Sequence, residues 1–255
     1  MFSNYHTHTV FCDGADTPEE LVLEAIRLSC PEIGFSGHSC LAEDCCSMTE
    51  EGTLAYCAEI RRLQEAYRGR ITIRLGIEQD YFSSIDRAQF DYVIGAVHFL
   101  KKDRTRSIDE SRGRFLDIVQ NAYDGDVYSL AEEYFSLVGD LWQHTHCDVI
   151  AHFDLITKFN EGGCLFDTGH PRYRAAADAA LDALMESPCL LEVNTGAMAR
   201  GYRSEPYPEQ HILDRWLAAG KEIILSSDCH AKQNLIFAFD SLSRLPYRET
   251  LPLRK

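Results

Sequence analysis

Seven short apolar runs alternate with helical stretches along this chain, and a histidine or carboxylate stands at the C-terminal end of six of them. The runs fall at 1–5, 32–36, 71–77, 91–97, 148–151, 189–193 and 222–226. Between them, apolar residues recur at helical spacing. Leu21, Val22, Ala25, Ile26 and Leu28 follow a start signal in Thr17-Pro18-Glu19-Glu20, where Thr17 caps, Pro18 suits the first turn and Glu20 completes a capping box. Further helices are expected near 54–67, 107–123, 127–142, 172–185, 209–219 and 231–242. Strand–helix alternation of this kind predicts a parallel sheet. An open doubly wound sheet gathers its chemistry at one switch point, whereas a closed barrel brings the C-terminal ends of all strands to one face. The expectation is therefore an α/β fold: a distorted seven-stranded (β/α) barrel, TIM-like, forming one domain over 1–255, with the active site at the C-terminal strand ends.

The residues at those ends are His6, His8, Asp13, His38, Glu78, His98, His152, Asp228 and His230. His6 and His8 are two apart, so on a strand both imidazoles point to one side. Neutral imidazole is a common ligand of zinc, iron and manganese. Nine nitrogen and oxygen ligands exceed the three or four that one catalytic ion takes. Three ions could share them if one carboxylate bridges. The second His-x-His, His144 and His146, precedes the fifth run and belongs at the opposite, structural end. His170 and His211 lie in helix or helix-entry contexts, and Glu192 stays outside the direct ligand set. Arg200 follows the sixth run. It is either a surface arginine or a phosphate contact, since a guanidinium binds two oxygens at once. The acidic stretch 41–52, with Glu43, Asp44, Cys45 and Cys46, reads as a solvated loop or as a lid whose carboxylates meet a substrate ammonium.

Composition narrows the partners. The net charge of −15, from 25 Lys and Arg against 40 Asp and Glu, argues against neutralising a nucleic-acid backbone. It does not exclude an anionic substrate, because bound metal ions reverse the local field. No apolar run reaches membrane-spanning length, and no basic-then-apolar leader is visible, so a cytoplasmic protein is expected. The ten cysteines show no Cys-x-x-Cys spacing and are expected to be free thiols.

The motifs His6-Thr7-His8, Gly76-Ile77-Glu78, Ala151-His152-Phe153-Asp154 and Asp228-Cys229-His230 together resemble the polymerase and histidinol phosphatase (PHP) family. Within it, Gly95-Ala96-Val97-His98-Phe99, His152-Phe153-Asp154-Leu155-Ile156, Glu192-Val193-Asn194-Thr195, Arg200 and Pro206-Tyr207-Pro208 are most similar to the histidinol-phosphate phosphatases. Asp13 stands where other members carry a histidine, which keeps a ligand and adds negative charge.

The resemblance implies three divalent ions, of zinc, manganese or iron. His6, His8, Glu78 and Asp228 would hold the first, Glu78, His98 and His152 the second, and Asp13, His38 and His230 the third. It implies hydrolysis of a small phosphate monoester, L-histidinol phosphate, by a metal-bridging hydroxide. Glu78, His98, Asp228 and Arg200 would be catalytic, with Arg200, Asn194 and His38 contacting substrate. Two other readings are a family phosphoesterase acting on nucleotides, oligonucleotides or other phosphate monoesters, and a non-enzymatic metal-binding barrel. The acidic charge speaks against the former and the complete ligand set against the latter.

Overall fold

The computed structural model describes residues 1–102 and 105–252. β-Branched and aromatic runs form the strands β1 (Glu32–Phe35), β2 (Thr72–Asp80), β3 (Tyr92–Ala96), β4 (Phe99–Leu100), β5 (Arg106–Ser107), β6 (Val149–Ile150), β7 (Leu190–Asn194), β8 (Ile223–Ser226) and β9 (Tyr247–Arg248). The helices are α1 (Pro18–Arg27), α2 (Glu50–Ala66), α3 (Arg112–Ala122), α4 (Val127–Thr145), α5 (Pro171–Met185), α6 (Gly196–Ala199), α7 (Gln210–Ala218) and α8 (Phe239–Leu242). Seven strands form one parallel sheet in the order β1-β2-β3-β6-β7-β8-β9, while β4 and β5 make a separate antiparallel pair. The seven-stranded α/β architecture agrees with the expectation.

The first expected strand does not form a ladder. Residues 4–8 instead bridge the two sides of the curled sheet, pairing Asn4 with Ile33 and Thr7 with Cys229. Gly34 N donates to Asn4 O at 2.8 Å, and His8 N donates to Cys229 O at 2.8 Å. The buried Asn4 side chain fixes this closure, donating to Ser227 Oγ at 2.8 Å and Leu235 O at 3.0 Å. The seventh strand of the sheet is β9, near the C-terminus, which composition did not announce.

Two further departures have local causes. The helix expected from 107 starts at Arg112 behind its Ser111 cap, because residues 106–107 pair with β4. The helix expected over 231–242 breaks into a short turn and α8, with Ala238 at φ 60°. Its carbonyls are taken elsewhere: Leu235 O by Asn4 and Ser227, and Phe237 O by Thr195 Oγ1. Side-chain donors that compete for main-chain carbonyls interrupt a helix. The capping box at Thr17 and Glu20 forms as read from the sequence.

Strand periodicity sorts the interior into layers. One apolar cluster lies between helices and sheet. A smaller one fills the barrel, built from Tyr5, Tyr92, Ile94, Ala96, Val149, Ala151, Leu190, Ile224 and Leu251. Tyr92 plugs its centre, where its hydroxyl donates to Tyr5 O and lies 3.1 Å from Phe35 O. Below it, Arg74 pairs with Glu32 at 3.1 Å, and Glu32 accepts from Tyr5 Oη. Every second residue points inward, so a strand that places Ile94 and Ala96 in this plug places His98 above it. Ile224, Ser226 and Asp228 climb in the same way, as do Gly76 and Glu78.

Gly76 is required by the plug, because a Cβ there would stand 2.3 Å from Tyr92 Cζ. Gly76→Ala should therefore lower unfolding stability by about 1–3 kcal/mol, the usual cost of overpacking a core. Gly113→Ala, near the start of α3 with open space around it, should leave stability level or raise it. Urea denaturation of the two variants checks the contrast; equal curves would contradict the tight plug.

Candidate metal centre

The nine candidate ligands converge above the plug. His6, His8, Glu78 and His152 are buried, and Glu78 lies in the middle. Its Oε1 is 3.1 Å from His152 Nε2 and 3.4 Å from His98 Nε2. Its Oε2 is 3.0 Å from His38 Nδ1, 3.3 Å from His6 Nε2 and 3.4 Å from His8 Nε2. One carboxylate thus faces two histidine groups with its two oxygens. Asp228 Oδ1 lies 3.2 Å from His8 Nε2, 3.6 Å from His6 Nε2 and 3.5 Å from His230 Nδ1. Asp13 reaches His8 at 3.4 Å, His38 at 3.7 Å and His230 at 3.2 Å.

Among the nine, three sets have donor atoms close enough to share an ion: His8, Asp13, His38 and His230; His6, His8 and Asp228; and His38, Glu78 and His98. The sharing differs from what the resemblance implied: His8 and His38 each belong to two sets, Glu78 to one and His152 to none. His8 belongs to two sets, because its ring lies between those of His38 and His230, with centroids 4.4 Å and 4.1 Å away. His38 also turns Nδ1 to Glu78 rather than serving Asp13 alone.

The cluster calls for cations. Burial alone would discharge His6, but the carboxylates of Glu192, Glu78 and Asp228 outweigh it and push the imidazole up to about 10. His8 and His38 are likewise raised, against their own burial, by carboxylate partners. Burial also opposes charge on Glu78, yet the imidazoles of His6, His38 and His98 hold its carboxyl well below the usual range. For Asp228, Arg200 and His6 do the same. Buried His6 Nε2, His8 Nε2 and Glu78 Oε2 have no hydrogen-bond partner among the described residues. Buried polar atoms left unpaired are costly. Divalent ions bound by imidazole and carboxylate would satisfy all three and replace the protons.

Glu192 has a role that the sequence did not reveal. Its Oε1 accepts from His6 Nδ1 at 2.7 Å, and its Oε2 accepts from His152 N at 2.9 Å and Asn194 Nδ2 at 2.7 Å. Donation from Nδ1 leaves the His6 Nε2 lone pair facing the centre, a familiar arrangement behind metal-ligating histidines. The sequence signal was parity, since Leu190, Glu192 and Asn194 share one face of β7. Asp80 supports His98 similarly, accepting from its main-chain N at 2.9 Å. Asn194, expected to touch substrate, is instead fully buried, and its amide is committed to Glu192 and to Gly196 N at 2.8 Å.

A cavity of about 380 Å³ opens over the cluster, lined by Asp13, His38, Glu78, His98, His152, Asp228 and His230 and by Arg200, Lys158, Arg106 and Asp109. The 41–47 loop forms part of its rim, and Glu43 Oε1 accepts from Thr105 Oγ1 across it at 3.2 Å. Arg200 follows α6 and places Nη2 3.0 Å from Asp228 Oδ2 and Nη1 2.8 Å from His230 Nδ1. Gly196 permits this approach, since a Cβ there would stand 2.7 Å from Asp228 Cβ. Asp228 itself has φ 45°, a left-handed conformation uncommon outside glycine that aspartate tolerates. Lys158 Nζ donates to Asp109 O at 2.8 Å and lies 3.1 Å from its Oδ2. The remaining histidines lie outside the cluster: His144 stacks on Tyr81, His146 ends α4, His170 caps α5 and His211 pairs with Glu209. Cys12, Cys30, Cys40, Cys45, Cys46, Cys57, Cys164 and Cys229 are free thiols, and the Sγ atoms of Cys147 and Cys189 lie 3.9 Å apart. Among the described residues, no helix is long and apolar enough to cross a membrane.

The chain is similar to known proteins. A model of the PHP domain matches residues 4–196. A protein named probable histidinol-phosphatase from Deinococcus radiodurans is 27% identical over 253 residues, covering 92% of this chain and 88% of its own. The histidinol-phosphatase of Bacillus subtilis is 24% identical over 263 residues, covering 92% and 96%. Among solved structures, a Listeria monocytogenes protein superposes with a TM-score of 0.82 at 23% identity, covering 94% of this chain and 99% of that one. The histidinol phosphate phosphatase of Lactococcus lactis, solved with zinc, L-histidinol and phosphate, gives 0.70 at 21% identity, covering 100% and 99%. The two structures share this fold.

Glu192→Gln keeps the shape of the side chain and removes the charge that orients His6. It should weaken divalent-ion affinity by about 10- to 100-fold, as loss of such supports does elsewhere. Competition with a chromogenic chelator measures this; unchanged affinity would mean that His6 needs no carboxylate behind it.

Proposed function

The chain belongs to the PHP family, and from that membership and the metal centre we infer that it is a metal-dependent phosphomonoesterase converting L-histidinol phosphate and water to L-histidinol and inorganic phosphate. The observation that carries this reading is the convergence of nine histidine and carboxylate ligands beneath a cavity that also holds Arg200 and Lys158. The names of the Deinococcus, Bacillus and Lactococcus relatives supply the substrate. The enzyme would act as one domain, in the cytoplasm, in histidine biosynthesis.

The donor set would hold up to three divalent ions, and Glu78, whose two oxygens face different histidines, would serve as a ligand to more than one. Imidazole and carboxylate suit zinc, manganese or iron. Bound there, such ions supply an activated water and offset the charge of the phosphoryl group. The protein's own groups do the rest. Glu78, Asp228 and Asp13 set the negative charge that gathers the ions, and the histidines fix where they sit. Arg200, held beside Asp228 and His230, turns its guanidinium to the phosphoryl oxygens, where paired charged hydrogen bonds orient the group for in-line attack. Lys158 adds a second cation on the cavity wall. Glu43, on the rim, would offer its carboxylate to the ammonium of the substrate at the mouth. The net charge of −15 disfavours the polyanionic backbone of an oligonucleotide.

Phosphate release from L-histidinol phosphate, compared with a panel of sugar phosphates and nucleotides, tests the reading. Preference for histidinol phosphate is expected, and equal turnover across the panel would contradict the assigned substrate. Glu78→Ala should abolish turnover with the fold kept, whereas His146→Ala, outside the cluster, should leave it nearly intact. Equal losses would place the centre elsewhere.

Arg200→Ala should lower kcat/KM by roughly 10- to 1000-fold, the cost of one or two charged hydrogen bonds. Arg200→Lys should restore only part of it, because an ammonium cannot copy the planar fork. Metal content should be unchanged in both; near-normal kinetics in Arg200→Ala would leave the phosphate to the ions alone.

A further inference from the structure

The rim of the cavity carries a group of ligands outside the central nine. Asp44, Cys45 and Cys46 present a carboxylate oxygen and two sulfurs that all lie within 4.8 Å of one another. In extended backbone, adjacent side chains point to opposite faces. Here the turn from Leu41 to Ser47 brings two neighbouring thiols to one side, with Sγ atoms 4.0 Å apart. In a tetrahedral zinc thiolate site, with each Zn–S bond about 2.3 Å, the sulfurs stand about 3.8 Å apart. The observed spacing therefore needs little adjustment to take an ion.

Packing gives no competing reason for the pair. Cys30, Cys147, Cys189 and Cys229 are buried, as expected of structural thiols, but Cys45 and Cys46 are both exposed. Both line the cavity that Asp13 also lines, so an ion between them would stand at the mouth of the metal centre.

We propose that Asp44, Cys45 and Cys46 form a separate, exchangeable site for a soft divalent cation, zinc or cadmium, at the mouth of the cavity. Two thiols lose their protons to solvent as the ion binds, leaving two thiolates and one carboxylate as ligands and a fourth position open to water. Thiolates favour zinc and cadmium over manganese and magnesium. The rim thus differs in kind from the nitrogen and oxygen centre below it, and exposure on a surface loop makes its ion readily exchanged.

The test uses the full-length protein saturated with manganese and titrated with cadmium. Bound cadmium is counted by equilibrium dialysis, and thiolate coordination is followed by its ultraviolet charge-transfer absorption. The wild type should bind one more cadmium per chain than C45S/C46S and show the larger thiolate band. C164S, which removes an exposed cysteine away from the rim, should match the wild type. Excess manganese should not displace the additional ion. Basal phosphate release in manganese should be the same in wild type and C45S/C46S, which shows that the variant is folded. Equal cadmium uptake and equal bands in wild type and C45S/C46S would overturn the proposal, as would displacement of the additional ion by manganese. Cadmium uptake is read without reference to the substrate, so failure here is distinguishable from failure of the phosphatase reading.

Discussion

Concentrated negative charge governs this molecule. Glu78, Asp228 and Glu192 are buried together, with Asp13 close by, and carboxylates removed from water are tolerated only when opposite charge or strong donors meet them. The surrounding histidines can supply that charge as protons, which is why His6, His8 and His38 are raised. Divalent ions supply it more densely and also satisfy the unpaired atoms. The barrel can be understood as the frame that holds these groups close despite their repulsion.

The frame works through parity. An inward residue low on a strand fills the plug, and the inward residue two or four positions later reaches the centre. Tyr92, Ile94, Ala96 and His98 form one such column, and Ile224, Ser226 and Asp228 form another. Packing in the plug and geometry at the centre are therefore coupled: a one-residue slip in register would turn ligands away from the ions and apolar residues out of the core.

Much of this was legible in the sequence. Strand–helix alternation specified the architecture, and a ligand type at successive strand ends specified which face carries the chemistry. The nine candidates do meet. Features that depend on distant parts of the chain were not legible. Residues 4–8 close the barrel by single bridges, which leave no periodic signature, and β9 is too short to stand out. The helix expected over 231–242 fails because Asn4 and Thr195, remote in sequence, claim its carbonyls. Glu192 and Asn194 were hard to assign for a related reason. Their residue types suit direct contact, but burial turns them toward other side chains instead.

The closure by residues 4–8 also fixes when the centre can exist. His6 and His8 are made first, yet the main-chain bonds that hold them run to Cys229, and Asp228 and His230 complete their surroundings. Leu251 N then bonds Tyr5 Oη beneath the plug. A growing chain on the ribosome carries His6 and His8 without these partners until Asp228, Cys229 and His230 have been made. The sets that include His8 therefore assemble only after Asp228 and His230 have been made, whereas His38, Glu78 and His98 need nothing beyond residue 98.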